Sequence, residues 1–216
     1  MTSTAKKKPR RPTEHNVVQA LKRFEFKAHD QGNQSTCTAH AVTAALEILL
    51  GKKLRTEDLV TGFEDDEEGT TVSRLSRILH TKGQREEKDK DIVHKLRFKK
   101  IDNDVSAVKR ALTRNLPVIA GVTNFIQRKT SPSELTLKNS GDPEPGKHSI
   151  VIMGFCEGGE SEGGGVLHVL NSHGDSWGKG GFGTMSYGFF LAYTIELHVP
   201  VVPKTNARAR TRTLVQ

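Results

Sequence analysis

Three side chains set far apart in this 216-residue chain have the types needed for nucleophilic acyl chemistry: Cys37, His148 and Asn171. A thiolate attacks carbonyl carbon and an imidazole moves the proton. An amide oxygen can hold one imidazole nitrogen so that the other exchanges protons with the thiol. Cys37 lies where the polar loop 30–36 (DQGNQST) gives way to apolar residues at Ala41, Ala44, Ala45, Ile48 and Leu49. That is the i, i+3/i+4 spacing of a helix with one buried face. Ser35 or Thr36 stands at the N-cap and Gly51 at the C-terminal stop, so the pattern predicts Cys37 in the first helical turn. There the unpaired backbone N–H groups and the positive end of the helix dipole favour thiolate over thiol. A lone cysteine in an Ala-rich helix also reads as a small core residue. The distant residues separate the two readings.

Residues 148–155 (HSIVIMGF) read as a mostly buried strand and residues 166–171 (VLHVLN) as a second. Between them, residues 156–165 (CEGGESEGGG) are a glycine-rich connection suited to a hairpin turn. An antiparallel hairpin folded about the middle of that connection sets His148 opposite residues 171–173. A histidine and an amide are thereby delivered side by side at one end of a sheet. The elements required are thus a helix that begins at the nucleophile and a hairpin that presents base and orienter.

Three blocks, DQGNQSTCTAHA at 30–41, GKHSIVIMGF at 146–155 and NSHGDSWGKGGFG at 171–183, make the chain resemble the papain-like (C1 family) cysteine peptidases. Weaker likeness lies in LRTEDLV at 54–60 and NLPVIAGV at 115–122, and the whole spans roughly residues 20–197. The resemblance implies an α+β, two-lobe fold, with a helical lobe carrying the Cys, a β-barrel-like lobe carrying the His and Asn, and the active-site cleft between. It implies Cys37 as nucleophile, His148 as general base and acid, and Asn171 as the orienter of His148. Gln31 would complete the oxyanion hole with the backbone N–H of Cys37. By the same carry-over Gly69 bonds the substrate backbone, and Gly121, Gly146 and Ser149 line the main side-chain pocket. Trp177 shields the Asn–His pair and lines the leaving-group side. Small residues at the pocket positions imply room for a bulky residue at P2, two residues from the scissile bond on the substrate's N-terminal side. The acidic run at 64–68 would favour basic residues on that side.

The chain departs from the family pattern at Gln34 and Thr38, where the signature has a cysteine and an aromatic, and at His173, where a tryptophan is usual. His40 stands where the family has a core aromatic. Cys37-x-x-His40 looks like half a metal site, but the further ligands such a site needs are not at hand, so neither metal nor cofactor is expected.

The formal net charge of +8 belongs to the two ends. Residues 1–14 carry five Lys/Arg and one Glu, residues 204–216 carry four Lys/Arg, and the 189 residues between them balance. Residues 6–11 (KKKPRR) resemble a nuclear-import signal and equally suit nucleic acid or an anionic surface. The expected organisation is a basic tail at 1–14, a mainly helical lobe at 15–115, a mainly β lobe at 116–203 and a basic tail at 204–216. Helices are predicted at 37–51, 54–61, 71–82 and 104–114, and a polar surface connection at 127–147.

Two cysteines, one of them assigned as nucleophile, leave no structural disulfide, and the N-terminus has no apolar signal core. With no apolar run that approaches a membrane span, this predicts an intracellular monomer, cytoplasmic or nuclear. The 36 residues before Cys37 are too few for the family's inhibitory propeptide, which implies a prosegment left out or control by another route. Two functions follow: a cysteine-type endopeptidase acting on peptide or protein substrates, or a catalytically silent adaptor with basic tails that contact nucleic acid, an import receptor or another protein.

Overall fold

A computed structural model describes residues 14–16, 26–61, 70–125, 134–137 and 146–202. Gly69, the acidic run 64–68, the basic residues of both tails and most of the 127–147 connection lie outside the described residues.

The helix predicted at Cys37 is α1, Cys37–Leu50. Thr36 is its N-cap residue, although no side-chain hydrogen bond caps it. Gly51 ends it in the left-handed conformation at φ 68°, its N–H donating to the Glu47 carbonyl. Only glycine adopts that conformation without strain, which is why the helix stops there. Burial goes beyond the single face expected. Thr38, Ala39 and every residue from Ala41 to Ile48 are buried, because α1 is wedged between other elements. It packs on α3 (Val72–Thr81) on one side and on β5 (Val118–Phe125) and β7 (Gly146–Glu157) on the other. A short α2 (Glu57–Val60) and α4 (Val105–Leu112) fall within the other predicted helices.

Strands from Arg97 onward form a sheet in the order β4-β10-β5-β7-β8-β9-β6, in which β4 is Arg97–Ile101, β6 Glu134–Leu135, β8 Gly165–Leu170, β9 Phe182–Ser186 and β10 Thr194–Val201. A short β1 (Glu14–Asn16) pairs with the far end of β7, and β2 (Gln84–Arg85) with β3 (Val93–His94) makes a separate ribbon. Strand β7 runs through the centre, with residues 148–155 all buried between β5 and β8. The β7–β8 hairpin has the expected register: Val151 lies opposite Leu170 and Ile152 opposite Val169, with a shift of one before Gly154 and His168. Strand β4 and helix α4 precede residue 115, yet β4 pairs with β10, and α4 packs on β5, β7 and α5 (Tyr187–Tyr193).

Candidate active site

Two loops meet at the start of α1. Gly174 N–H donates to the His29 carbonyl at 2.8 Å and Gln31 N–H to the Ser172 carbonyl at 2.9 Å, so residues 29–31 run antiparallel to 172–174. The contact is close at Gly181, where a Cβ would sit 2.1 Å from the Ala28 Cβ and φ is +87°. These bonds hold the segment that leads into Cys37 against the segment that follows β8.

Within that frame Cys37 is the first residue of α1 and is half-buried. Its neighbour Thr38 faces Ser149, the two hydroxyl oxygens 3.0 Å apart in buried surroundings. Ser149 follows His148, so the nucleophile and base candidates are each one residue from the same contact between helix and sheet. This contact stands where the family signature has an aromatic after the cysteine.

His148 is 2 % exposed and Asn171 equally so. Asn171 Oδ1 lies 2.7 Å from His148 Nε2 and also accepts from Ser172 N–H at 2.8 Å. A backbone N–H can only donate, which identifies that atom as the amide oxygen; His148 Nε2 therefore carries the proton in the neutral ring and Nδ1 the lone pair. Burial pushes His148 down to about 4, with the Asn171 bond pulling the other way. The imidazole is thus held neutral. His173 stacks on it, ring centroids 5.0 Å apart and planes within 15°, in the place where the family has a tryptophan.

Gln31 is clamped by its own loop and by the partner loop. Its Nε2 donates to the Gln34 carbonyl at 2.8 Å, and its Oε1 accepts from Ser172 Oγ at 2.6 Å. One N–H of the amide is thereby used and a second remains on the same nitrogen. Ser172, which the sequence reading passed over, holds both Gln31 and Asn171; an unremarkable serine beside an asparagine gives no local signal of this.

The pocket candidates divide. Gly121 on β5 lies directly opposite Ser149 on β7, both buried, while Gly146 begins β7 and is half-buried. Gly69 lies outside the described residues. Trp177 is 0 % exposed, in the segment between β8 and β9.

A second polar cluster sits under α1. Glu47, 0 % exposed, accepts from Leu54 N–H at 2.9 Å, and its other oxygen is 3.0 Å from His29 Nε2 and 3.4 Å from Lys53 Nζ. His29 Nδ1 in turn lies 3.3 Å from His40 Nδ1. Burial, then His29, pushes His40 down to about 4, against a smaller pull from Asp30. Both cysteines are free thiols. Among the described residues no group of three or more His, Cys, Asp or Glu could hold a metal ion, and no helix is long and apolar enough to cross a membrane.

Solved structures with this arrangement of helix and sheet decide the architecture. Xylellain, a cysteine protease from Xylella fastidiosa, superposes with a TM-score of 0.68 at 15% identity, covering 88% of this chain and 86% of its own. The fold is that of the papain-like cysteine proteases. Digestive procathepsin L 3 of Tenebrio molitor larval midgut gives 0.67 at 14% identity, over 88% of this chain and 69% of that one. The ragweed pollen cysteine protease Amb a 11, in its proform, gives 0.66 at 22%, over 88% and 65%. No protein-family profile and no curated protein sequence matches the chain. The papain-like fold is therefore visible in shape where overall sequence similarity has faded.

Proposed function

We propose that the chain is a cysteine peptidase in which Cys37 attacks the scissile carbonyl and His148 relays the proton. The observation that carries this reading is the His148–Asn171 hydrogen bond of 2.7 Å, formed beside the helix that begins at Cys37. With Nε2–H fixed by Asn171, the Nδ1 lone pair of His148 takes the thiol proton as sulfur bonds to carbonyl carbon. The oxyanion that develops receives the second Gln31 Nε2–H and the Cys37 N–H, donors set in advance by the loop contacts. Collapse breaks the C–N bond, and the leaving amine takes the proton from His148. Water then adds to the thioester, giving its proton back to His148, and the acid departs as the thiol re-forms.

The fold supports this chemistry by setting helix and hairpin face to face. Digestion of an unstructured protein, followed by mass spectrometry of the fragments, tests the proposal. Cleavage by the full chain that disappears in Cys37→Ala is the expected result. Intact substrate after prolonged incubation with folded protein would point instead to a binding groove without catalysis.

A further inference from the structure

Asn171 has one polar atom that its place beside His148 leaves unused. Its Oδ1 accepts two hydrogen bonds, but among the described residues its buried Nδ2 has no hydrogen-bond partner. A buried amide N–H calls for an acceptor. Asn171 lines a cavity of about 10 Å³ between α1 and the β7–β8 hairpin, with His29, His40, Ser149 and Ser172 as its other polar walls. That is room for one water molecule.

His40 brings a second group to the same space. Its Nδ1 lies 3.3 Å from His29 Nδ1, and His29 Nε2 lies 3.0 Å from the Glu47 carboxylate. A carboxylate only accepts, so His29 carries a proton on Nε2. With His29 neutral, its Nδ1 accepts from His40, whose Nε2 keeps a lone pair. With His29 charged, its Nδ1 donates, and His40 Nε2 carries the proton. Water suits both cases, because it gives and takes at once. Its oxygen accepts from Asn171 Nδ2–H, and it either donates to His40 Nε2 or accepts from it. Ser149 Oγ and Ser172 Oγ, already engaged with Thr38 and Gln31, keep lone pairs for its hydrogens. That makes the three or so bonds usual for a buried water. The aromatic ring that the papain-like family carries at position 40 would offer it none.

We infer that a buried water joins Asn171 to the His40–His29–Glu47 chain and makes His40 a positioning residue for the asparagine that orients His148. The amide is then held at both ends, Oδ1 by the Ser172 N–H and Nδ2 by the water. A half-turn of the amide would set N–H2 against His148 Nε2 and move the imidazole proton to Nδ1, the atom that must accept from the thiol. The water and its neighbours oppose that turn. The effect on rate rests on the peptidase reading above; the water does not.

Nuclear magnetic resonance of the full chain tests the water, and kinetics test its effect. In the unmodified protein the Asn171 side-chain N–H2 protons should cross-relax with a long-lived water, and the His148 ¹⁵N shifts should place the proton on Nε2. His40→Phe should remove the water signal, blur the His148 tautomer and lower kcat about tenfold with KM little changed. His40→Gln, which keeps a donor and an acceptor, should restore all three. No water contact at Asn171 in the unmodified chain would overturn the inference. So would a His40→Phe protein that loses the water yet keeps kcat and the His148 tautomer, or an equal fall in His40→Gln with its water in place. If the unmodified chain hydrolyses nothing, the peptidase reading fails by itself. The water signal and the His148 shifts then still decide the role of His40.

Discussion

Asn171 Oδ1 accepts from His148 and from the Ser172 backbone at once, so its position is fixed by the main chain before it fixes the imidazole. Asn171→Ala removes the bond that sets the tautomer of a buried histidine. We predict a fall in kcat/KM of at least about tenfold, the scale of partners that orient an imidazole, with the fold retained. Progress curves on a cleaved peptide would show it; unchanged rates would remove Asn171 from the mechanism. Gln31 has a different signature. Its contribution arises only as the oxyanion develops, so Gln31→Ala should lower kcat by about a hundredfold with little change in KM. A rise in KM alone would make Gln31 a substrate contact instead.

At the scale of elements, the frame is set where loops and strands touch. The Thr38–Ser149 hydroxyl pair links helix to sheet in buried surroundings. In a double-mutant cycle of Thr38→Ala and Ser149→Ala, measured by denaturant unfolding, the coupling should be about 1 kcal/mol. Zero coupling would mean the hydroxyls only share a neighbourhood. Gly181 is more demanding, because both its φ of +87° and the Ala28 Cβ only 2.1 Å from where its own would lie exclude a side chain. Gly181→Ala should push the two loops apart, displacing Cys37 relative to Asn171 and costing more than about 2 kcal/mol. A variant as stable and active as the parent would show that the loop contact does not position the site.

At the scale of the whole molecule, His148 and His40 are both pushed down to about 4 by burial. An unfolded chain takes up these protons near pH 6.5, so between about 6.5 and 4 it binds more protons than the native state does. Stability should therefore fall as pH drops through that window and level off below it, by up to about 3 kcal/mol per histidine. His40→Phe should reduce the loss between about pH 7 and pH 5, read from urea midpoints. An identical acid loss in the variant would assign the effect elsewhere.

What could be read from the chain was local or set by a turn. The run of alanines with Gly51 gave away α1, and the glycine-rich turn at 156–165 fixed the β7–β8 register that brings Asn171 to His148. What could not be read depends on long-range pairing. Nothing near Arg97 shows that β4 will pair with β10, nothing near His40 shows that His29 will lie between it and Glu47, and a register shift had to be seen before Glu196 could be set against Gly121. The near-complete burial of α1 likewise comes from partners on two sides, which a helical pattern alone cannot reveal.

The central claim is that Cys37 is made reactive by His148. Mass spectrometry of the folded chain after reaction with a peptidyl epoxide tests it most directly. We predict one adduct, on Cys37 and not on Cys156, with a labelling rate that drops more than about tenfold in His148→Ala. No adduct on a cooperatively folded protein, or an undiminished rate on Cys37 in the His148 variant, would contradict it.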